Sequence, residues 1–343
     1  MSGLLTNKKM RDQKSIILFA VVTAAFGGIP FLLNPETSYI VYLLFLAFIY
    51  TALTQGWNIL GGYTGQLSLG THAFFGLGAY VTAISWLQGI TGYFDPLAMF
   101  FSGMAASILA VAVGIPLLSK LRGDYFALGT LGLGEILRAV FIQGGTVTGG
   151  AAGLVIPSLS YSSMRPYYYT ALFLAVLATA VTYLMVRSRI GLALVAIRED
   201  ETAAAANGIH VLKYKVLAFA AGAFIAGLCG SLQAYYIFHI HPHGFLNLNW
   251  TLYPILMCLL GGGGTIIGPI IGAMFLTWIF ELAKVWLVEI HPIFSGVLII
   301  VVIIFLPNGV IRVRSKVDHA GKGAFLSNLS RFLKSKSNQK GGY

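Results

Sequence analysis

Charge is what this sequence has least of. Asp, Glu, Lys and Arg make up only 10% of its 343 residues, while 57% are hydrophobic and the mean hydropathy is +0.81. Soluble domains carry about 25% charged residues, so the shortage excludes an ordinary soluble fold. Cysteine is nearly absent too: Cys229 and Cys258 both fall inside apolar runs, which excludes a disulfide framework and leaves two small buried hydrophobes. Apolar and polar residues do not alternate with a period of two, which excludes the strands of a membrane barrel. Also missing are G-x-S-x-G, H-E-x-x-H and G-x-x-x-x-G-K-[ST]. The chain therefore has no motif for hydrolysis or nucleotide binding, and work against a gradient needs ATP held by another chain.

What the sequence has in abundance is long apolar runs. Crossing roughly 30 Å of hydrocarbon at about 1.5 Å per residue takes about 20 apolar residues in a helix. Residues 16–33, 39–60, 67–88, 97–118, 167–186, 215–238 and 266–283 qualify; 125–142, 252–263 and 293–306 are weaker because they are Gly-rich or short. The fold expected is all-α: a polytopic membrane bundle of about 8–10 transmembrane helices with Gly-broken segments. It divides into a basic cytoplasmic N-terminus at 1–15, a membrane domain at 16–311 and a basic cytoplasmic tail at 312–343. Lys8, Lys9, Arg11 and Lys14 precede the first run as in a signal peptide, but the run is long and no A-x-A site closes it, so an uncleaved helix is expected.

The net charge of +11 follows from topology. With ten alternating spans and both termini cytoplasmic, 19 of the 22 Lys and Arg lie on the cytoplasmic side, and only Arg138, Arg165 and Lys284 fall near the outer side. That bias explains the basic balance with no nucleic-acid partner. In the tail, Phe325, Leu329, Phe332 and Leu333 share one helical face, which suits either a helix on the anionic inner leaflet or a solvated segment.

Glycine is heavily used, at 41 residues, and two clusters look alike: ILGGYTGQLSLG from Ile59 and LLGGGGTIIGPIIG from Leu259. They suggest two related halves with discontinuous helices, or glycines that let helices pack closely. Four in succession at 261–264 resist helix, since each costs about 1 kcal/mol against Ala. A break there has to be buried in protein or face a cavity.

Ionisable groups at membrane depth come next. Glu135 and Arg138 stand three apart, as do Glu281 and Lys284, and each pair can meet on one helix face. His239, His241 and His243 in HIHPHG read either as a metal site or as an interfacial loop, with Pro242 marking a turn. Gln66, Ser68, His72 and Glu135 are the polar groups that could face a substrate path, Ser68 and His72 being four apart in an expected helix.

One polar stretch interrupts the apolar chain, AIREDETAAAANGIH at 196–210, inside the long inner loop 187–214. Read as a short helix over 199–207, it has acids at its first turn, where the helix dipole favours them, and Asn207-Gly208 at its stop. Glu201, Ala204, Ala205 and Gly208 then share a smooth face suited to entering a groove on another protein.

IREDETAAAANGI resembles the cytoplasmic coupling loop of ABC-transporter permeases in their branched-chain amino-acid (LivM-type) form. GQLSLGTHAFFGLGAY (65–80), GDYFALGTLGLGEILR (123–138), TGGAAGL (148–154), GGGGTIIGPIIGA (261–273) and IIFLPNGV (303–310) resemble further motifs of that family in the same order. The resemblance covers roughly residues 39–311. It implies a transport subunit of the inner or plasma membrane, not an enzyme and without a cofactor of its own. The implied partners are a second permease (a sibling or a second copy), two ATPase subunits that hydrolyse the ATP, and an extracytoplasmic binding protein that delivers a small-molecule substrate. It also makes Arg198, Glu199, Asp200, Glu201, Ala204, Ala205 and Gly208 the ATPase-coupling residues. Thr71 stands before His72 where the family usually has Gly, and GGAAGL has Ala where a polar residue is common. These departures leave the cargo open between hydrophobic amino acids and the urea or short amides of the same superfamily. From the residues alone, an ion-coupled transporter built on Glu135 and a metal sensor built on the three histidines also stand as expectations.

Overall fold

In a computed structural model the described residues are 19–156 and 163–286, together with 17, 296 and 297. Helix dominates them because hydrocarbon offers no partner for a free N–H or C=O, and a helix satisfies both within itself. In chain order the helices are α1 (Phe19–Leu32), α2 (Tyr39–Thr64), α3 (Thr71–Leu87), α4 (Pro96–Lys120), α5 (Asp124–Gln143), α6 (Gly145–Thr148) and α7 (Arg165–Arg187). After them come α8 (Arg189–Glu199), α9 (Glu201–Ala206), α10 (Val211–Ile237), α11 (Pro242–Phe245), α12 (Asn249–Gly261) and α13 (Ile267–Trp286). Two residues each of β1 (Leu154–Val155) and β2 (His239–Ile240) pair antiparallel. Among the described residues seven helical stretches are long and apolar enough to cross a membrane: α2, α4, α5, α7, α10, the run Pro242–Gly261, and Ile267–Val285 of α13. Both weaker runs at 125–142 and 252–263 are helical. The run at 293–306, the basic N-terminus and the tail lie outside the described residues.

The bundle is organised around α10, whose AAGAFIAGLCGSL gives it small residues on several sides. Helices α2 and α4 run antiparallel to it and α3 runs parallel. A Cβ on Gly78 or Gly230 would overlap the backbone of Gly227 or Phe75, and one on Gly222 would stand 2.7 Å from the Gly56 carbonyl. Helices that approach this closely gain dispersion along their whole length, which drives association where water is absent. Thr82, Ser102 and Ser231 meet where α3, α4 and α10 touch, with hydroxyl contacts of 2.8 and 2.6 Å, all fully buried.

Sequence expectation and structure part company at the start of α3. The run 67–88 was expected to be one span, but residues 65–70 are not helical and α3 begins at Thr71. Gly65 takes a left-handed φ of 72°, ending α2, and the freed backbone finds side-chain partners instead. Leu69 N donates to Thr130 Oγ1 at 2.9 Å, and Trp57 Nε1 donates to the Ser68 carbonyl at 2.9 Å.

The bundle has two distinct ends. One carries residues 65–70, 121–123, 188–210 and 262–266. The other carries 33–38, 88–95, 144–156 and 238–248, where β1 and β2 pair and Trp86, Tyr93, Phe94, Tyr167 and Tyr235 form one aromatic cluster. Such aromatic groups suit a membrane–water boundary.

Gly230→Val places a branched side chain against the Phe75 carbonyl. The expected loss is about 3 kcal/mol of overpacking strain, since backbone cannot move as a side chain can, read as a lower thermal midpoint in detergent. Gly132→Ala, at a helical glycine with open space around it, does not lower the midpoint and adds up to about 1 kcal/mol of helix propensity.

Candidate functional site

The polar stretch at 196–210 folds as two short helices with a corner between them. Helix α8 continues through Glu199, and Asp200 turns the chain with φ −159° and ψ 115°. Its Oδ1 accepts from Thr202 N at 2.8 Å, Ala203 N at 3.0 Å and Thr202 Oγ1 at 2.7 Å, capping α9. These bonds, the one from the Ala203 amide first, hold the Asp200 carboxyl below the usual carboxylate range. At the other end Ile209 N reaches the Ala204 carbonyl and Gly208 N the Ala205 carbonyl, with Gly208 at φ 82°. That is a Schellman stop. The single helix expected over 199–207 is thus corrected to α8 and α9, because the Asp200 carboxylate takes the N–H groups that a continuous helix would have paired with carbonyls.

The loop is tied inward. Arg198 donates from Nη1 to the Gly62 carbonyl at 2.7 Å and lies against Gly65 and Gly264. The Glu201 carboxylate accepts from Gln66 Nε2 at 2.9 Å and from Lys215 Nζ, whose residue is only 1% exposed. Ala204 is buried as well. Of the expected coupling residues, Arg198, Glu201 and Ala204 thus face the body of the protein, Asp200 caps, and Glu199, Ala205 and Gly208 are exposed. Ala205, Gly208 and residues 209–213 line an open hollow of about 730 Å³ beside the loop.

The two glycine clusters meet in space at this end. Asn58 is the clasp between them. Its Oδ1 accepts from Gly264 N at 2.8 Å and its Nδ2 donates to the Thr265 carbonyl at 2.8 Å, while Gln55 Nε2 donates to the Ile266 carbonyl at 2.7 Å. A Cβ on Gly62 would stand 2.6 Å from Gly264 N. Gly262 and Gly264 take φ of 111° and 76°, so the chain between α12 and α13 turns as only glycine does cheaply.

The expected path residues separate. Ser68 lies in the extended segment, so it shares no helix face with His72. Ser68 and His72 are buried, and Gln66 turns to the loop. His72 Nδ1 is 2.9 Å from Thr251 Oγ1 on α12, and its ring fills the space that a Cβ on Gly134 of α5 would need. Beside Ser68, Thr71 and Trp57 is a void of about 20 Å³, room for about one water. Glu135 alone is exposed, with Oε2 3.3 Å from Arg138 Nη1. The spacing of Glu281 and Lys284 also yields an ion pair. At the aromatic end His239 Nε2 is 2.9 Å from the Ala152 carbonyl, and no three His, Cys, Asp or Glu among the described residues converge as metal ligands. Sequence reasoning missed Asn58, Gln55, Lys215 and Thr251; two amides three apart inside the apolar run 39–60 were the available signal for Gln55 and Asn58.

Comparison with known proteins agrees with this architecture. The family described as "Branched-chain amino acid transport system / permease component" matches residues 39–305. The chain is 29% identical to the high-affinity branched-chain amino acid transport system permease protein LivM of Escherichia coli (strain K12), over 87% of this chain and 75% of that one. It is 26% identical to the probable permease LivM of Methanocaldococcus jannaschii, over 60% and 66%. It is also 27% identical to the permease LivH of Escherichia coli (strain K12), over 76% and 91%. No solved structure matches the chain.

Two outcomes test the latch and the cap. Glu201→Ala leaves Lys215 buried and unpaired, with an expected cost of about 2 kcal/mol; this is below the about 3–5 kcal/mol of a fully buried pair because Glu201 is partly open to water. Adding Lys215→Met restores most of it, as thermal unfolding of the cycle reports. For Asp200 the folded state holds the carboxyl below its unfolded value of about 3.9, so its contribution is complete above that value and disappears as pH falls through the depressed one. Protection of the Thr202 and Ala203 amides, measured against their intrinsic exchange rates, is expected to fall in that acid range, and in Asp200→Ala to be low at every pH.

Proposed function

This chain belongs to the branched-chain amino acid transport permease family, and on that premise we propose that it is a membrane-spanning subunit of an ATP-driven importer of hydrophobic amino acids. The observation that carries the proposal is the α8–α9 unit: capped at both ends, smooth outside, hydrogen-bonded inside to the first glycine break and packed through Arg198 against Gly264 of the second. A free surface loop has no use for such bonds, whereas a peg moved by a motor does. In this reading Glu199, Ala205 and Gly208 touch an ATPase subunit, Asp200 fixes the corner, and Arg198, Glu201 and Ala204 pass the displacement inward.

The inward route runs along contacts already described. Glu201 holds Gln66; the segment from Gln66 to His72 rests on α5 through Leu69–Thr130 and His72–Gly134; and the next residue on α5 is Glu135. Motion of the loop therefore reaches α5, where we place the substrate path. The protein is a multi-pass membrane protein. Lys120, Arg122, Arg187, Arg189, Arg198, Lys213 and Lys215 gather at the loop end, while Arg138, Arg165 and Lys284 lie toward the other, which supports a cytoplasmic loop end in the inner or plasma membrane with both termini inside. Residues 16–311 then form the transport domain between the two basic termini. Similarity to both LivM and LivH proteins supports pairing with a sibling permease. Two ATPase subunits beneath supply the hydrolysis and an extracytoplasmic binding protein supplies the substrate.

Ala205→Arg puts a long cation on the exposed face of α9 without touching the latch. In the reconstituted complex, ATPase association and amino-acid uptake are each expected to fall at least tenfold while the permease keeps its thermal midpoint. Unchanged association and uptake would remove the proposed role of the loop. Uptake by the permease alone, driven by an ion gradient without ATP, would replace it with the ion-coupled reading.

A further inference from the structure

Helix α5 sets one acid, Glu135, into an otherwise apolar outward face where Leu128, Ile136 and Val140 are also exposed. The stripe Leu128, Gly132, Glu135 and Ala139 follows the i, i+4, i+7, i+11 spacing of one helical side, and all but Gly132 are plainly exposed. Glu135 stands about 17 Å along α5 from Asp124, near the middle of a helix about 30 Å long, with its side chain 55% exposed. An open carboxylate at that depth faces either water or another protein, because hydrocarbon does not tolerate it. The opposite side of α5 is closed by His72 against Gly134, so the helix cannot turn to hide Glu135.

The acid is one half of a fixed pair. Arg138, one turn further along, keeps Nη1 3.3 Å from Glu135 Oε2 and donates from Nη2 to His243 Nδ1 on α11 at 2.8 Å. An accepting His243 anchors the guanidinium from a second element, and its remaining N–H groups stay free to bond. One turn the other way, a Cβ on Gly132 would meet no heavy atom within 4 Å. One carboxylate, one guanidinium and an open space beside them thus stand along one side of α5.

We propose that Glu135 and Arg138 form a transport subsite for the zwitterionic head of an α-amino acid, Glu135 taking the ammonium and Arg138 the carboxylate, with the apolar side chain lying over Gly132. The inference rests on the importer reading above and deepens it. A carboxylate and a guanidinium on one helix turn match the two charges that every α-amino acid carries, and the intramolecular pair keeps both groups compensated when the site is empty. A neutral solute such as urea offers neither charge, so the pair separates the two cargo classes that the sequence leaves open. His243 is a positioning residue, acting through Arg138.

The test uses the complete complex in lipid, with leucine as the probe. Gly132→Cys is expected to react with a water-soluble thiol reagent, over the background of Cys229 and Cys258, which are both buried. Leucine is expected to slow that reaction at least fivefold, whereas leucinamide, which lacks the carboxylate, and 4-methylvalerate, which lacks the ammonium, do not. Adding Glu135→Gln or Arg138→Gln abolishes the protection and lowers leucine uptake at least tenfold, while ATP hydrolysis stimulated by loaded binding protein stays within twofold. Protection by leucinamide equal to that by leucine, labelling only by lipid-soluble reagents, or full uptake in both charge variants overturns the subsite. So does an equal fall of uptake and ATP hydrolysis that Glu135→Asp and Arg138→Lys repeat, since the pair would then serve assembly. If the unaltered complex takes up no leucine, the importer reading fails instead.

Discussion

Everything at the loop end depends on how the bundle treats a broken helix. Hydrocarbon leaves no backbone group unpaired without a large penalty, and here the chain breaks helix twice, after Thr64 and after Gly261. Asn58 resolves the second with one amide, giving and accepting bonds to the 264–265 backbone, while Trp57 and Thr130 pair the backbone of the first. Because the Gly62 and Gly264 backbones lie in contact, the two breaks form one joint. Arg198 then bonds to the same joint, so that the 196–210 loop is attached directly to it.

The remainder of the bundle is held by close packing. Along α10 the glycines and alanines admit α2, α3 and α4 to backbone contact, and the Thr82–Ser102–Ser231 hydroxyls fix their relative height. Helix α5 packs against α3 and α4 rather than along α10, and its Thr130 and Gly134 meet Leu69 and His72.

The helical architecture was legible because its causes are local: apolar run length set the spans, and even the weak runs at 125–142 and 252–263 proved helical. The stop at Asn207-Gly208 was legible for the same reason. What escaped was whatever depended on partners remote in sequence. Ser68 looked helical until Thr130 and Trp57 claimed its neighbourhood. Glu201 and Arg198 looked like surface contacts because Lys215, Gln66 and Gly62, their actual partners, are read from composition as merely polar or small. The likeness of the two glycine clusters was visible, but their adjacency was not, because no periodicity encodes a tertiary approach.

The Asn58 clasp also bears on biogenesis. Its acceptor and donor partners are made about 200 residues after it, which at about 5–20 residues per second is roughly 10–40 s of translation. Throughout that interval the amide sits in a nascent span with its final partners still unmade, and the newly inserted N-terminal half is an open form. The clasp closes only when the hairpin of α12 and α13 arrives, so that completion of this joint is timed by a segment made long after α2.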